Sequence, residues 1–224
     1  MKDQIVGLIP VREGSQRVKG KNFIEFADKK SLLDIKIDQL KAAGCFDHIY
    51  LSSDSENVKK IAGEKKIDFL KRDTKFCQAD VPWAECVQHI IGTIPGDPLV
   101  VWALTTSPLF ADFAGAVKKF KQVSKVHDSL AAVLPKKAFF LNKDGKGINY
   151  NPGHWHPYSQ QLETFYEVTG ACYIGRKSDM LKWSYWFGPK PFLYEVPAQT
   201  AVDVDTPEDF AFAQKLYRVT KSGK

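Results

Sequence analysis

Asp203 and Asp205 stand one residue apart in "AVDVDTPEDF". In an extended segment, alternate side chains point to the same side. Both carboxylates then face one way, where they repel or share a cation. Mg2+ suits such a pair, because it takes one or two carboxylates plus substrate phosphates. The competing use for one of the two is to cap the helix that follows. Near the other end, "IPVREGSQRVKGKNF" breaks from an apolar run into Arg12, Arg17, Lys19 and Lys21. Gly14 and Ser15 permit a tight loop whose backbone N–H groups can face a phosphate. Arg12 can fork onto phosphate oxygens, and Lys21 can serve as a point charge. The spacing is not that of a Walker A loop, since five residues separate Gly14 from Gly20 and Asn22 stands where Ser or Thr belongs. Composition alone leaves a phosphate cradle and a plain basic loop about equally open.

Two further stretches carry polar groups next to apolar runs. Ser52, Ser53 and Asp54 follow one run, and Thr105, Thr106, Ser107 and Pro108 follow another. Either set can contact a ligand or simply satisfy a turn. His89 sits in an apolar helical stretch and reads as packed. His154 and His156 flank Trp155, too few ligands for a metal site. There is no G-x-S-x-G motif and no evident cysteine nucleophile.

These groups must be positioned by an alternating scaffold. Residues 4–11, 48–53, 67–72, 98–104, 129–135, 166–175 and 192–197 read as strands. Residues 31–44, 56–66, 83–94 and 112–123 read as helices, and a last helix opens at Thr206 and Pro207. Strand–helix alternation predicts a mostly parallel sheet covered on both faces. Ligands of such sheets sit beyond the carboxyl ends of the strands. One rim therefore gathers 12–22, 52–54, 104–108 and 203–205. Periodicity fails between Lys136 and Gln161, which reads as a protruding hairpin-like arm over a site or against a second subunit. No internal repeat or linker appears, so one domain over 1–224 is expected, with the arm inserted at about 136–162.

Apolar residues make up 44% of the 224, enough for a substantial core, and no apolar run is long enough to cross a membrane. The N-terminus reads as a strand rather than a signal peptide. Four scattered cysteines, Cys45, Cys77, Cys86 and Cys172, predict a reducing, cytoplasmic setting. The net charge of +6 comes without any nucleic-acid-binding signature, so neither nucleic acid nor membrane is expected as a partner.

Six segments in order resemble the CMP-acylneuraminate synthetases, with the CMP-3-deoxy-manno-octulosonate synthetases as cousins. They are IPVREGSQRVKGKN (9–22), SSDS (52–55), TSPL (106–109), DSL (128–130), QQL with TGACY (160–173) and DVDTPEDF (203–210). The resemblance implies a Rossmann-like α/β nucleotidyltransferase fold with a dimerisation arm. It implies transfer of CMP from CTP to a sugar acid of the nonulosonate type, with pyrophosphate leaving and Mg2+ as cofactor. By motif, Arg12, Lys21 and Asp205 would be catalytic. Arg12, Ser15, Lys21, Asn22, Ser52 and Asp54 would bind CTP, and Asp203 and Asp205 the metal. Thr106, Ser107, Gln160, Gln161 and Tyr173 would meet the acceptor, and a homodimer is implied. The sequence departs from sialate-type members at Leu104, Phe110 and Ser159, and "VPW" (81–83) stands where small hydroxyl residues are usual. His154, His156, Lys136 or Lys137 could supply a different recognition set. A phosphonate or other small acid as acceptor, or a nucleotide-binding protein without turnover, are the alternatives.

Overall fold

The computed structural model describes residues 3–15, 17–78 and 80–222. Its centre is a seven-stranded sheet. The strands are β1 (Ile5–Pro10), β4 (His48–Ser53), β5 (Asp68–Lys71), β6 (Leu99–Trp102), β7 (Ser129–Lys136), β8 (Phe165–Arg176) and β9 (Pro191–Glu195), in spatial order β5-β4-β1-β6-β8-β7-β9. A small hairpin, β2 (Glu25–Ala27) with β3 (Lys30–Ser31), stands apart. Six strands of the large sheet share one direction. Only β8 runs against its neighbours β6 and β7. The alternation of apolar runs predicts the parallel part, while the reversal at β8 carries no signal in its own composition.

The helices are α1 (Leu32–Ala43), α2 (Glu56–Glu64), α3 (Trp83–Gly92), α4 (Phe113–Val123), α5 (Lys177–Trp183) and α6 (Pro207–Ser222). Capping explains where several begin and end. Ser31 accepts from the Asp34 amide at 3.1 Å while Asp34 returns a bond to Ser31, and Gly44 ends α1 in the left-handed conformation. Ser55 caps α2, its hydroxyl accepting from the Val58 amide at 3.2 Å. Helix α5 lies in a stretch that periodicity leaves unassigned.

One face of the sheet packs Ile9, Leu51, Val101 and Ala132 against Leu33 and Ile37 of α1 and Phe113 and Val117 of α4. The other packs Leu8, Val100 and Trp102 against Val87, Ile90 and Ile91 of α3 and Met180 of α5. A third cluster seats Phe210 and Ala213 of α6 on Phe26, Leu32 and Val18. Beyond Val133 the β7–β8 ladder leaves the sheet as a two-stranded ribbon, ending at Lys136 paired with Phe165. The expected arm thus has strand pairing at its base and one bridge, Leu141 with Gly147, farther out.

Phe113 is fully buried, with edge-on contacts to Phe110 at 5.1 Å and Phe46 at 6.4 Å. Phe113→Ala is expected to lower unfolding stability by about 3–5 kcal/mol. Denaturant melts would show it, and a loss under about 1 kcal/mol would mean that this layer closes over the cavity.

Candidate active site

Because β1, β4 and β6 are parallel, their carboxyl ends meet on one rim, and the loops that follow line two adjoining cavities. One, of 480 Å3, is lined by Arg12, Glu13, Gly14, Ser15, Lys19, Asp54, Cys77 and Gln78. The other, of 610 Å3, is lined by Arg12, Arg17 and Lys21 together with Asp203 and Asp205. Leu104, Thr106, Trp83 and Trp186 close it further. Arg12 and Ser15 border both.

The basic loop is held by its own backbone. Gly20 takes φ +62°, a left-handed conformation that suits glycine, and its carbonyl accepts from the Phe23 amide at 2.8 Å. A Cβ at Gly14 would meet nothing, so that backbone stays bare. Asn22 is buried. Its Nδ2 donates to the Arg12 carbonyl at 3.2 Å, and its Oδ1 accepts from the Thr105 hydroxyl at 2.7 Å. Both ends of that amide are engaged in shaping the loop.

The carboxylates come from the segment before α6. Helix capping does not consume them. Thr206 accepts from the Asp209 amide at 3.1 Å, and Asp209 accepts from the Thr206 amide at 2.8 Å. Asp205 pairs with Arg17 at 2.8 Å and with Lys21 at 3.5 Å. The Lys21 ammonium also donates to the Val204 carbonyl at 2.7 Å, and the Val204 amide donates to the Thr106 carbonyl at 2.8 Å. Asp203 opens to the water of the cavity yet is crowded by protein behind it. That crowding raises its carboxyl above the ordinary value; the Thr106 hydroxyl opposes the rise and the Asp205 charge adds to it. Close packing is visible at Gly170 of β8, where a Cβ would come within 2.9 Å of Ser107 Oγ and 3.5 Å of Asp203 Oδ1. Two hard oxygen donors beside a cationic loop suit a small divalent cation that completes its shell with water and phosphate oxygens. Among the described residues, no cluster of three or more metal-binding side chains exists to cage one without them.

The structure brings Arg12, Ser15, Lys21, Asn22, Thr106, Asp203 and Asp205 to the larger cavity and Asp54 to the smaller one. It does not bring the other sequence-predicted residues there. Ser52 is buried behind the rim with its hydroxyl unpartnered. Ser107 is fully buried, and its carbonyl accepts from Lys36 at 2.8 Å. Tyr173 is buried on β8, where its hydroxyl donates to the Thr169 carbonyl at 2.6 Å and its ring stacks on Trp186 at 4.9 Å. Gln160 and Gln161 lie exposed on the arm, and Gln161 accepts from the Tyr158 amide. Phe110, one of the departures from the sialate pattern, is a core residue against Phe113 rather than part of a cavity wall.

Sequence reading gave no site role to four residues, Arg17, Trp83, Trp186 and Arg72. Arg17 was visible as a basic residue of the loop. Trp83 and Trp186, ring centres 4.8 Å apart, form an aromatic wall from segments a hundred residues apart, so no local pattern joins them. Arg72 is buried, and its guanidinium donates to the Val11 and Ser52 carbonyls, fixing the ends of β1 and β4. Burial holds its pKa below the usual arginine value.

A carboxyl whose folded pKa is raised destabilises the ionised protein, and that stability returns as pH falls through the folded pKa. Asp203→Asn is therefore expected to raise the melting temperature at pH 7 in chelator. It should also lose the further rise that Mg2+ with CTP is expected to give the parent protein. Melts in both conditions test this; a variant that melts lower in chelator contradicts it.

A family model of cytidylyltransferases matches residues 6–109. A pseudaminic acid cytidylyltransferase of Campylobacter jejuni is 29% identical over 223 residues, 95% of each chain. An N-acylneuraminate cytidylyltransferase of Streptococcus agalactiae is 25% identical over 91% of this chain but only 51% of its own. Among solved structures, a CMP:2-keto-3-deoxy-manno-octonic acid synthetase complexed with CTP superposes with TM-score 0.69 at 12% identity, over 97% of this chain and 99% of that one. A 4-diphosphocytidyl-2C-methyl-D-erythritol synthase from Anaerococcus prevotii gives 0.68 at 12%, over 96% and 99%. At that identity the structural likeness speaks for the fold alone, a nucleotidyltransferase α/β fold. Along nearly its whole length the sequence is similar to cytidylyltransferases of the CMP-acylneuraminate synthetase type.

Proposed function

We propose that the protein transfers CMP from CTP to a sugar acid of the nonulosonate type and releases pyrophosphate. The observation that carries this is that Arg12, Arg17 and Lys21 line one 610 Å3 cavity together with Asp203 and Asp205, with Arg17 and Lys21 touching Asp205. Cations there neutralise a triphosphate, and carboxylates beside them supply what a cation-bridged phosphate needs. Arg12, Ser15 and Lys21 hold the triphosphate, with Asp54 at the rim of the adjoining cavity. The acceptor's hydroxyl oxygen bonds to the α-phosphorus in line, loses its proton, and the bond to pyrophosphate breaks. Such catalysis is mostly positioning and charge neutralisation. Mg2+ held by Asp203 and Asp205 would shield the charge that develops on the phosphates. Trp83, Trp186 and Leu104 give the acceptor an apolar wall, which suits a sugar acid with deoxy or acylated faces.

We read residues 1–224 as one such domain, working in the cytoplasm as a homodimer. The four free cysteines support a reducing setting, and among the described residues no helix is long and apolar enough to cross a membrane. The arm supports a second copy as partner. It exposes Trp155, Tyr158, Leu141 and Ile148, and a cavity of 680 Å3 at its base is lined by Ala138, Phe140, Ile148 and Phe165.

The decisive assay is pyrophosphate release from CTP and Mg2+ against a panel of sugar acids, with phosphonates included. Release with a sugar acid is expected, and Asp205→Ala should be silent. Arg12→Ala should bind CTP about 10- to 100-fold more weakly, the worth of a charged hydrogen bond or two. Release only with a phosphonate, or CTP binding without any turnover, would overturn the sugar-acid reading. For assembly, light scattering should give twice the monomer mass for the parent chain and a monomer for Ile148→Glu. A monomeric parent would remove the dimer.

A further inference from the structure

Lys36 is an anomaly in the core. It lies in the middle of α1, is fully buried, and is flanked by Ile35 and Ile37. Its ammonium donates to two backbone carbonyls, Ser107 at 2.8 Å and Phe110 at 3.1 Å, and lies 5.0 Å over the Phe113 ring. Burying an ammonium costs several kcal/mol before its hydrogen bonds are counted, whereas leucine or methionine would fill the same space without that cost. Burial draws its pKa down to about 7, opposed only by the Cys172 thiol. A neutral amine still carries two N–H donors, so both carbonyls remain served in either state.

The loop that Lys36 grips is part of a closed circuit. Gln39, one turn along α1, donates to the Pro108 carbonyl at 2.6 Å. The same loop offers the Thr106 carbonyl to the Val204 amide at 2.8 Å, between the two aspartates. Val204 in turn accepts from Lys21 at 2.7 Å. Asn22, beside Lys21, accepts from Thr105 through its side chain and from the Leu33 amide, in the first turn of α1, through its carbonyl. Helix α1 thus touches the cationic loop at its start and the 105–110 loop at its middle, and the second contact leads to the carboxylates.

We propose that Lys36 is a positioning residue: by clamping the Ser107 and Phe110 carbonyls to α1, it sets where Asp203 and Asp205 stand relative to Arg12 and Lys21. The proposal rests on the cytidylyltransferase reading for its effect on turnover, but its structural consequence can be measured apart from it.

The test uses the full chain with Lys36→Met, read first by hydrogen exchange. Loss of amide protection is expected in 104–110 and also in 201–206, while α6 beyond its first turn keeps the parent pattern. In pyrophosphate release, the Mg2+ concentration for half-maximal rate should rise about tenfold or more, as when a group supporting a metal ligand is removed. CTP affinity in chelator should stay within about twofold, because the cationic loop keeps its own Gly20–Phe23 turn and the Asn22–Leu33 bond to the start of α1. If Lys36→Met does not fold, Lys36→Gln serves; its shorter side chain cannot span both carbonyls, and a smaller change in the same direction is expected. Unchanged exchange in 201–206 in either folded variant overturns the proposal and leaves Lys36 as a core tie alone. Silence of the parent chain across the acceptor panel would count against the proposed function, while the exchange data would still judge Lys36.

Discussion

One lysine joins the two ends of this chain. Lys21 donates to the Val204 carbonyl, 183 positions further along the chain, and lies 3.5 Å from Asp205. It is largely withdrawn from water, so its contacts are screened less than those of a surface pair. Without that bond the cationic loop and the carboxylate segment would be separate surface features with opposite charge. With it they become two walls of one cavity. Arg17 makes the second contact to Asp205, but both partners of that pair are well exposed, and exposed pairs contribute about 0–1 kcal/mol. Arg17 can therefore trade a carboxylate for a phosphate at little cost, whereas Lys21 holds the frame.

That frame works because of strand direction. Parallel β1, β4 and β6 bring three loop beginnings to one rim, and Arg72 fastens two of the strand ends through their carbonyls. The reversed β8 then passes behind the rim, and only a glycine at 170 lets it run so near Ser107 and Asp203. The aromatic wall arrives from the opposite face of the sheet, where Trp83 begins α3 and Trp186 follows α5. The charged groups and the aromatic wall of the cavity thus come from different layers.

Much of this was legible from residue order. Apolar periodicity located the strands and most helices, Ser31 and Gly44 bracketed α1, and Thr206 marked the start of α6, because caps and turns answer to local backbone chemistry. The rim followed from alternation alone, since parallel strands leave no other place for their loops. The helix-cap alternative for the aspartates could not be settled that way. It took the contacts of Thr206 and Asp209 to show that the cap is satisfied elsewhere and that Asp203 and Asp205 are free to face the cavity.

Sequence by itself therefore determined the α/β class, the basic loop, the paired carboxylates and their shared rim, all of which depend on neighbours or on the period of the chain. Tertiary structure alone decided which of the polar candidates face the cavity. Thr106 does, while Ser107, one residue on, is buried, with its backbone carbonyl accepting from Lys36. Tyr173 spends its hydroxyl on Thr169, Phe110 enters the core, and Trp83 meets Trp186. Whether a polar group is spent or available depends on partners far along the chain. Hydrogen bonds and ring contacts act over a few ångströms of space, and only folding decides which residues share them.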